Sequence, residues 1–335
     1  MKKILVFGAT YGLLIAHQLD ALGFTVDIVC KEIEGKSIEK NGVAVIANQT
    51  NEDKHSRVAK NIIPKNINQI MAKVDEYEII VLAMSEPYYS NTDLTLLLNR
   101  IGELNIPVLS VMNLPPLKFM KKVLNGIVES EFKDIYHSSE ALDSIKSENI
   151  THSSADPQIA GISSDSKIKL RLASNFKIAA FGNKNDIVLN EISALSRKNE
   201  VIRSLGAGFR MYQNKFVGMS KLPMLITGNY RCFTLSGVTS IRDIVYRDLK
   251  YSELIYEKVC ELLVMYGVDR SVLVPFRLYA KAAQSLDAPS SFARAKCNGV
   301  ERLERVDLLV YRLADKINYS FDELNYIIKD NEELV

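Results

Sequence analysis

The first 113 residues repeat one pattern, a short uninterrupted apolar run followed by a turn or a helical stretch. The runs are "KILVFG", "TVDIVC", "GVAVIAN", "EIIVLAM" and "PVLSVMN". The helical stretches include "LLIAHQLDAL", a segment near 66–75 and "NTDLTLLLNRIGEL". A strand that is apolar on both faces must be covered on both, which is the habit of parallel sheets flanked by helices. Right-handed crossovers then lead to a doubly wound sheet. Gly23 stands where the first helix would end in a left-handed residue.

From about 120 to 165 the chain turns polar, with "SSEALDSIKSENITHSSADPQ", and reads as an irregular excursion. "KLRLAS", "FKIAAFG" and "GFRMYQ" read as further strands, with "DIVLNEISALSRK" as a helix among them. Beyond 207 the signal is helical, at 215–236, 251–266, 271–284, 290–298, 301–317 and 321–333. A chain of 335 residues suits two domains. The expectation is an α/β dinucleotide-binding domain with a doubly wound sheet, residues 1–206, followed by an all-helical domain, residues 207–335.

Composition narrows the function classes. A net charge of +2 without a dense Lys/Arg block argues against a nucleic-acid partner. Cys30, Cys232, Cys260 and Cys297 form no C-x-x-C pair, and His17, His55, His137 and His152 have no metal-ligand spacing. The expectation is a cytoplasmic protein with no metal. No run approaches the roughly 18 apolar residues of a membrane span. "MKK" before "ILVFGATYGLLIA" resembles a signal peptide, but the pattern runs on without a break into "FTVDIVCK", which argues against one.

The first turn, "GATYG" at 8–12, lies where a dinucleotide-binding unit places its phosphate turn. Gly8 would let the chain leave the strand sharply, and Ala9, Thr10 and Tyr11 would line the turn. Gly12 would let the helix pack close, with its N-terminal N–H groups toward phosphate. The turn is one residue shorter than G-x-G-x-x-G, and Thr10 stands for the second glycine. The second strand ends at Cys30-Lys31. A cation there suits the 2′-phosphate of NADP(H), whereas Glu32 beside it keeps NAD(H) open.

Three segments of the second half, "SKLPMLITGNYRCFTLSG", "APSSFARA" and "ERVDLLVYRLADK", arrive in that order behind a nucleotide-binding sheet. Together they resemble the ketopantoate reductase (2-dehydropantoate 2-reductase) family, over nearly the whole chain but as a divergent member. That resemblance implies a Rossmann-like domain, a helical C-terminal domain of the 6-phosphogluconate dehydrogenase type, and NADPH-dependent reduction of a 2-oxo acid. In the family an active-site helix carries a lysine, then asparagines four and eight positions later. Lys221 and Asn229 match the first and last, and Leu225 replaces the middle one. Positions eight apart on a helix are about 80° apart around the axis and about 12 Å along it, so both can face one cleft. Such a lysine would protonate the carbonyl oxygen as hydride arrives. Pro223 implies that the helix begins or kinks there.

The resemblance also assigns Ser290 and Ser291, at a helix N-terminus, to the substrate carboxylate. It assigns a glutamate, Glu304 in preference to Glu301, to the catalytic group. Asn113, closing the fifth strand, matches an asparagine near the nicotinamide and is a candidate for both cofactor and substrate, with Leu114 in place of the family glycine. Ser85 stands where many relatives carry a cofactor-contacting lysine. Arg231 has no counterpart in the motif but could clamp a carboxylate bidentately.

Three other readings compete. "YRDLK" supplies the Tyr246-x-x-x-Lys250 spacing of short-chain dehydrogenases, but 15 tyrosines make a chance match expected, and it falls in the helical half. An opine- or imine-type dehydrogenase would use the same architecture. A non-catalytic NADP-binding regulator fits the losses at Leu225 and Ser85. The leading expectation is an NADP-dependent oxidoreductase acting on a small 2-oxo acid, with ketopantoate one candidate. No nucleic acid or membrane is expected as a partner, and a homodimer is left open.

Overall fold

The computed structural model describes residues 2–49, 52–234 and 237–332, without the side chains of residues 48, 49 and 52–55. His55 is therefore outside the described side chains. The chain divides into two compact units, Met1–Phe119 with Glu140–Val217, and Met120–Ser139 with Gly218–Val335. The sequence expectation draws its line after 206 and leaves 120–139 with the sheet.

The strands of the first unit are β1 Lys3–Phe7, β2 Thr25–Val29, β3 Ala44–Gln49, β4 Glu52–His55, β5 Ile62–Pro64, β6 Ile79–Leu82, β7 Val108–Val111, β8 Ile150–Ser154, β9 Gln158–Ile162, β10 Lys167–Leu172, β11 Phe176–Ala179 and β12 Phe209–Tyr212. Eight of them form one sheet in the order β12-β11-β8-β7-β6-β1-β2-β5. From β5 to β8 every pairing is parallel. Taken in chain order these six strands lie 3-2-1-4-5-6, the arrangement of the doubly wound dinucleotide fold. β11 runs antiparallel to β8 and parallel to β12.

The apolar runs explain the two-sided cover. In β1, Ile4 and Val6 enter one core while Leu5 and Phe7 enter the other. The first core includes Leu14, Ile15 and Leu19 of the helix α1, Tyr11–Ala21. The second includes Leu94, Leu97, Leu98 and Ile101 of the helix Thr92–Glu103. The fold class is thus as the residue pattern implies, a doubly wound α/β sheet ahead of a helical region.

Three expectations need correction. "GVAVIAN" is a strand, but it is absent from the main sheet; β3 joins a second sheet ordered β4-β3-β10-β9, and β5 takes the place beside β2. "KLRLAS" belongs to that second sheet as well. The cause is visible in β3, where Val45 and Ala47 are buried and Ala44 and Ile46 only half-buried. That alternation suits a sheet covered on one face. β3 contacts α1, so α1 has sheet on both sides and is buried continuously from Gly12 to Asp20. Within the stretch read as irregular, "ITHSS" is the central strand β8.

The third correction concerns 215–236, expected as one helix. It is a 3-10 turn Met219–Lys221, a helix Leu222–Thr227 with Pro223 in its first turn, and a second 3-10 turn Asn229–Arg231. A short hairpin of Phe233–Thr234 and Gly237–Val238 follows. The α-helices that follow are Ile241–Arg247, Leu249–Met265, Phe276–Ala283, Ser291–Cys297, Val306–Lys316 and Asp322–Glu332.

Candidate functional site

In the sheet unit, the sequence-selected cofactor residues all follow the carboxyl ends of adjacent parallel strands. Gly8–Gly12 follow β1, Lys31 follows β2, Ser85 follows β6 and Asn113 follows β7. Parallel strands end on one edge, so these residues share it. The order reverses between β1 and β6, and that reversal is where doubly wound sheets bind ligands.

Gly8 is required there by its own backbone. Its φ is +103°, and a Cβ would stand 2.3 Å from the Ala83 carbonyl oxygen at the end of β6. Its N–H donates to Val29 O at 3.0 Å, tying the turn to β2. A Cβ on Gly12 would lie 3.0 Å from Phe7 O, so α1 packs close against the strand that feeds it. Thr10 is exposed, makes no side-chain cap bond to α1, and α1 has no acidic residue in its first turn. An exposed hydroxyl and an uncountered helix N-terminus fit a phosphate group. Lys31 is exposed, and its N–H donates to the Glu34 carboxylate at 2.9 Å. The Glu32 carboxylate pairs with Lys36 at 2.6 Å. Ser85 is exposed and Asn113 half-buried.

In the helical unit, the segments around 229, 290 and 304 are drawn together by Tyr230. Its hydroxyl donates to Glu304 O and accepts from Val306 N at 3.1 Å. Its ring lies against Phe292, with centroids 4.3 Å apart. Next to it, Asn229 O accepts from Ser290 Oγ at 2.7 Å, and Ser290 Oγ caps its helix by accepting from Ala293 N at 3.1 Å. Tyr230 O accepts from Asn331 Nδ2 at 3.2 Å, and Asn331 also donates to Asp307 Oδ2 at 3.1 Å. Asp307 is fully buried and held by Arg305 at 2.9 and 3.0 Å. Burial drives the Tyr230 phenol well above its usual range, with the Asp307 and Glu304 charges adding to it. The hydroxyl therefore keeps its proton.

Lys221 is half-buried and ends the 3-10 turn ahead of Leu222–Thr227. Lys221 and Asn229 thus flank a broken segment, and the spacing of one continuous helix does not describe them. The helix ends at Gly228, where no side chain fits: a Cβ there would stand 2.2 Å from the Tyr279 hydroxyl. Ser291 is exposed, whereas Ser290 is 2% exposed and already bonded on both sides. Arg231 is engaged internally, with Nη1 donating to Thr227 O at 3.1 Å and Ser252 Oγ at 2.9 Å, and its guanidinium lies over Tyr251. Glu304 is half-buried and Glu301 exposed. Among the described residues no group of His, Cys, Asp and Glu is placed to hold a metal, and no helix is long and apolar enough to cross a membrane.

No protein-family model and no curated protein matches the chain. Solved structures do. A 2-dehydropantoate 2-reductase from Methylococcus capsulatus superposes with a TM-score of 0.67 at 10% identity, covering 98% of this chain and 94% of its own. One from Geobacter metallireducens gives 0.65 at 15% identity, covering 99% and 100%. D-mandelate dehydrogenase, solved with NADH and anilino(oxo)acetate, gives 0.63 at 14% identity, covering 100% and 99%. The chain has the fold of the ketopantoate reductases. At these identities the likeness is one of fold.

Tyr230, Phe292 and Asn331 escaped the reading of the sequence. Most of the groups Tyr230 holds are backbone atoms of distant residues, and a backbone partner leaves no mark on residue type.

Proposed function

We propose that this protein is a divergent ketopantoate-reductase-type enzyme that reduces a small 2-oxo acid to the 2-hydroxy acid, using NADPH. One observation carries the reading: the turn at Gly8, Lys31, Ser85 and Asn113 share the carboxyl edge of the sheet at its point of strand-order reversal. D-mandelate dehydrogenase, whose fold is shared, was solved with NADH and a 2-oxo acid derivative, which supports the substrate class.

The N-terminus of α1 and the Thr10 hydroxyl would take the pyrophosphate, and Lys31 the 2′-phosphate. A nicotinamide held there would supply the hydride for the carbonyl carbon. The Lys221 ammonium donates its proton to the carbonyl oxygen as that oxygen gains charge, and the product is the alcohol. Asn229 and Glu304 orient the substrate and the lysine, and Asn113 would lie near the nicotinamide. Ser291 takes the carboxylate, because Ser290 is spent on Asn229 O and Ala293 N. Arg231 braces the segment instead of clamping substrate.

Fluorescence titration with NADPH and NADH, followed by a panel of 2-oxo acids, tests this. Saturable NADPH binding is expected, weakened more than NADH binding in Lys31→Ala. Lys221→Ala should lower turnover by about 10²–10⁴-fold with the NADPH Kd unchanged. Turnover only with a 2-oxo acid plus an amine would shift the assignment to an opine- or imine-type dehydrogenase. Cofactor binding without turnover on any substrate would leave a regulator.

A further inference from the structure

We infer that Tyr230 is the positioning residue of the substrate side. Its hydroxyl and backbone set Asn229, Ser290 and Glu304 in one arrangement, and Asn331 on the last helix locks it. The inference rests on the assignment of Asn229, Glu304 and Ser291, the neighbour of Ser290, to a 2-oxo acid. Each link is a separate contact. The hydroxyl is used in both senses, donating to Glu304 O and accepting from Val306 N, so it fixes the chain on either side of Arg305. The ring fills the space beside Phe292, two residues after Ser290 in the same chain segment. The backbone carbonyl receives Asn331 Nδ2, which also binds buried Asp307. Asn229 directly precedes Tyr230, so its side chain inherits the orientation of that residue, while Ser290 Oγ holds its carbonyl.

Tyr230 is 3% exposed, so it shapes the site without touching substrate. A helix would normally hold such side chains through its own regular geometry. Here the segment is a 3-10 turn after a break at Gly228, and a turn of three residues has little rigidity of its own. The tyrosine supplies what the broken helix does not.

Tyr230→Phe keeps the ring and deletes both hydroxyl bonds. In the intact 335-residue chain kcat/KM for the best 2-oxo acid should fall on the order of tenfold to a hundredfold, because displacement of about 1 Å in a positioned site can cost that much. The NADPH Kd should not change. Hydrogen exchange should accelerate at residues 304–306 in the same variant. Asn331→Ala, which spares the hydroxyl, should lower kcat/KM by a smaller factor and decides the matter should Tyr230→Phe fail to fold. A purely structural role would lower Tm while leaving kcat and KM of the folded protein as in the parent, and that result overturns the inference. Unchanged exchange at 304–306 also overturns it. Absence of turnover in the parent refutes the 2-oxo acid reading instead, and the exchange measurement still tests the lock.

Discussion

His17 shows how far a single residue's environment departs from what its type suggests. It sits fully buried in α1, and its Nε2 lies 3.1 Å from Arg57 O. A carbonyl only accepts, so Nε2 carries the proton, and Nδ1 has no partner among the described residues. Burial therefore lowers its pKa below the ordinary 6.5, and the bond to Arg57 only partly opposes this. The sign follows from proton counts. Above the unfolded value neither state binds the proton, and the folded state keeps its full stability. As pH falls through and below about 6.5, the unfolded chain takes up a proton that the folded chain refuses, and stability drops. Between pH 7 and pH 5 the parent's Tm should therefore fall more steeply than that of His17→Gln. Parallel Tm curves would show that His17 is not the group responsible.

At the scale of elements, the two strands β1 and β2 are tied by a polar cluster. Asp27, in the middle of β2 and 1% exposed, accepts from the Tyr77 hydroxyl at 2.5 Å and pairs with Lys3 of β1 at 3.1 Å. Lys3 also reaches Glu76 at 3.0 Å and lies over the Tyr77 ring. Exposed pairs such as Arg100–Glu103 contribute about 0–1 kcal/mol. A buried carboxylate that loses a donor costs more, about 1–3 kcal/mol. Tyr77→Phe should lower unfolding free energy by about that amount, read as a fall in the urea midpoint at constant m. A midpoint within error of the parent would mean that Lys3 alone satisfies Asp27. The same reasoning explains why β8 was illegible. Its Thr151, His152, Ser153 and Ser154 are buried polar residues. Thr151 donates to Ala179 O at 2.6 Å, and His152 bonds Ser110 of β7 at 2.9 Å. A strand stabilised by such pairings lacks the apolar run by which strands are recognised.

For the whole molecule, the chain's path matters more than its order. The segment 120–139 is read from sequence with the sheet, yet it belongs to the helical unit. Arg312 binds Asp134 at 2.7 Å, and Asn125 N donates to Tyr266 O at 3.0 Å. A fragment of residues 218–335 alone would lack those partners. We expect it to melt without a cooperative transition by circular dichroism, while the full chain shows one. A cooperative, parent-like melt of the fragment would show that 120–139 is dispensable to that unit.

What the residues alone determined is the local and the periodic: a doubly wound sheet, a glycine turn after its first strand, helices in the second half, and which residues follow the carboxyl ends of the strands. Those follow from apolar periodicity and backbone constraint, which act within a few neighbours. Tertiary structure decided that β3 leaves the main sheet, that the Lys221 segment breaks at Gly228, that Ser290 is committed to Asn229, and that Tyr230 gathers three distant segments. Each of these depends on a backbone atom or a packing face contributed from far along the chain. The identity of a residue carries no record of which distant carbonyl or glycine will meet it.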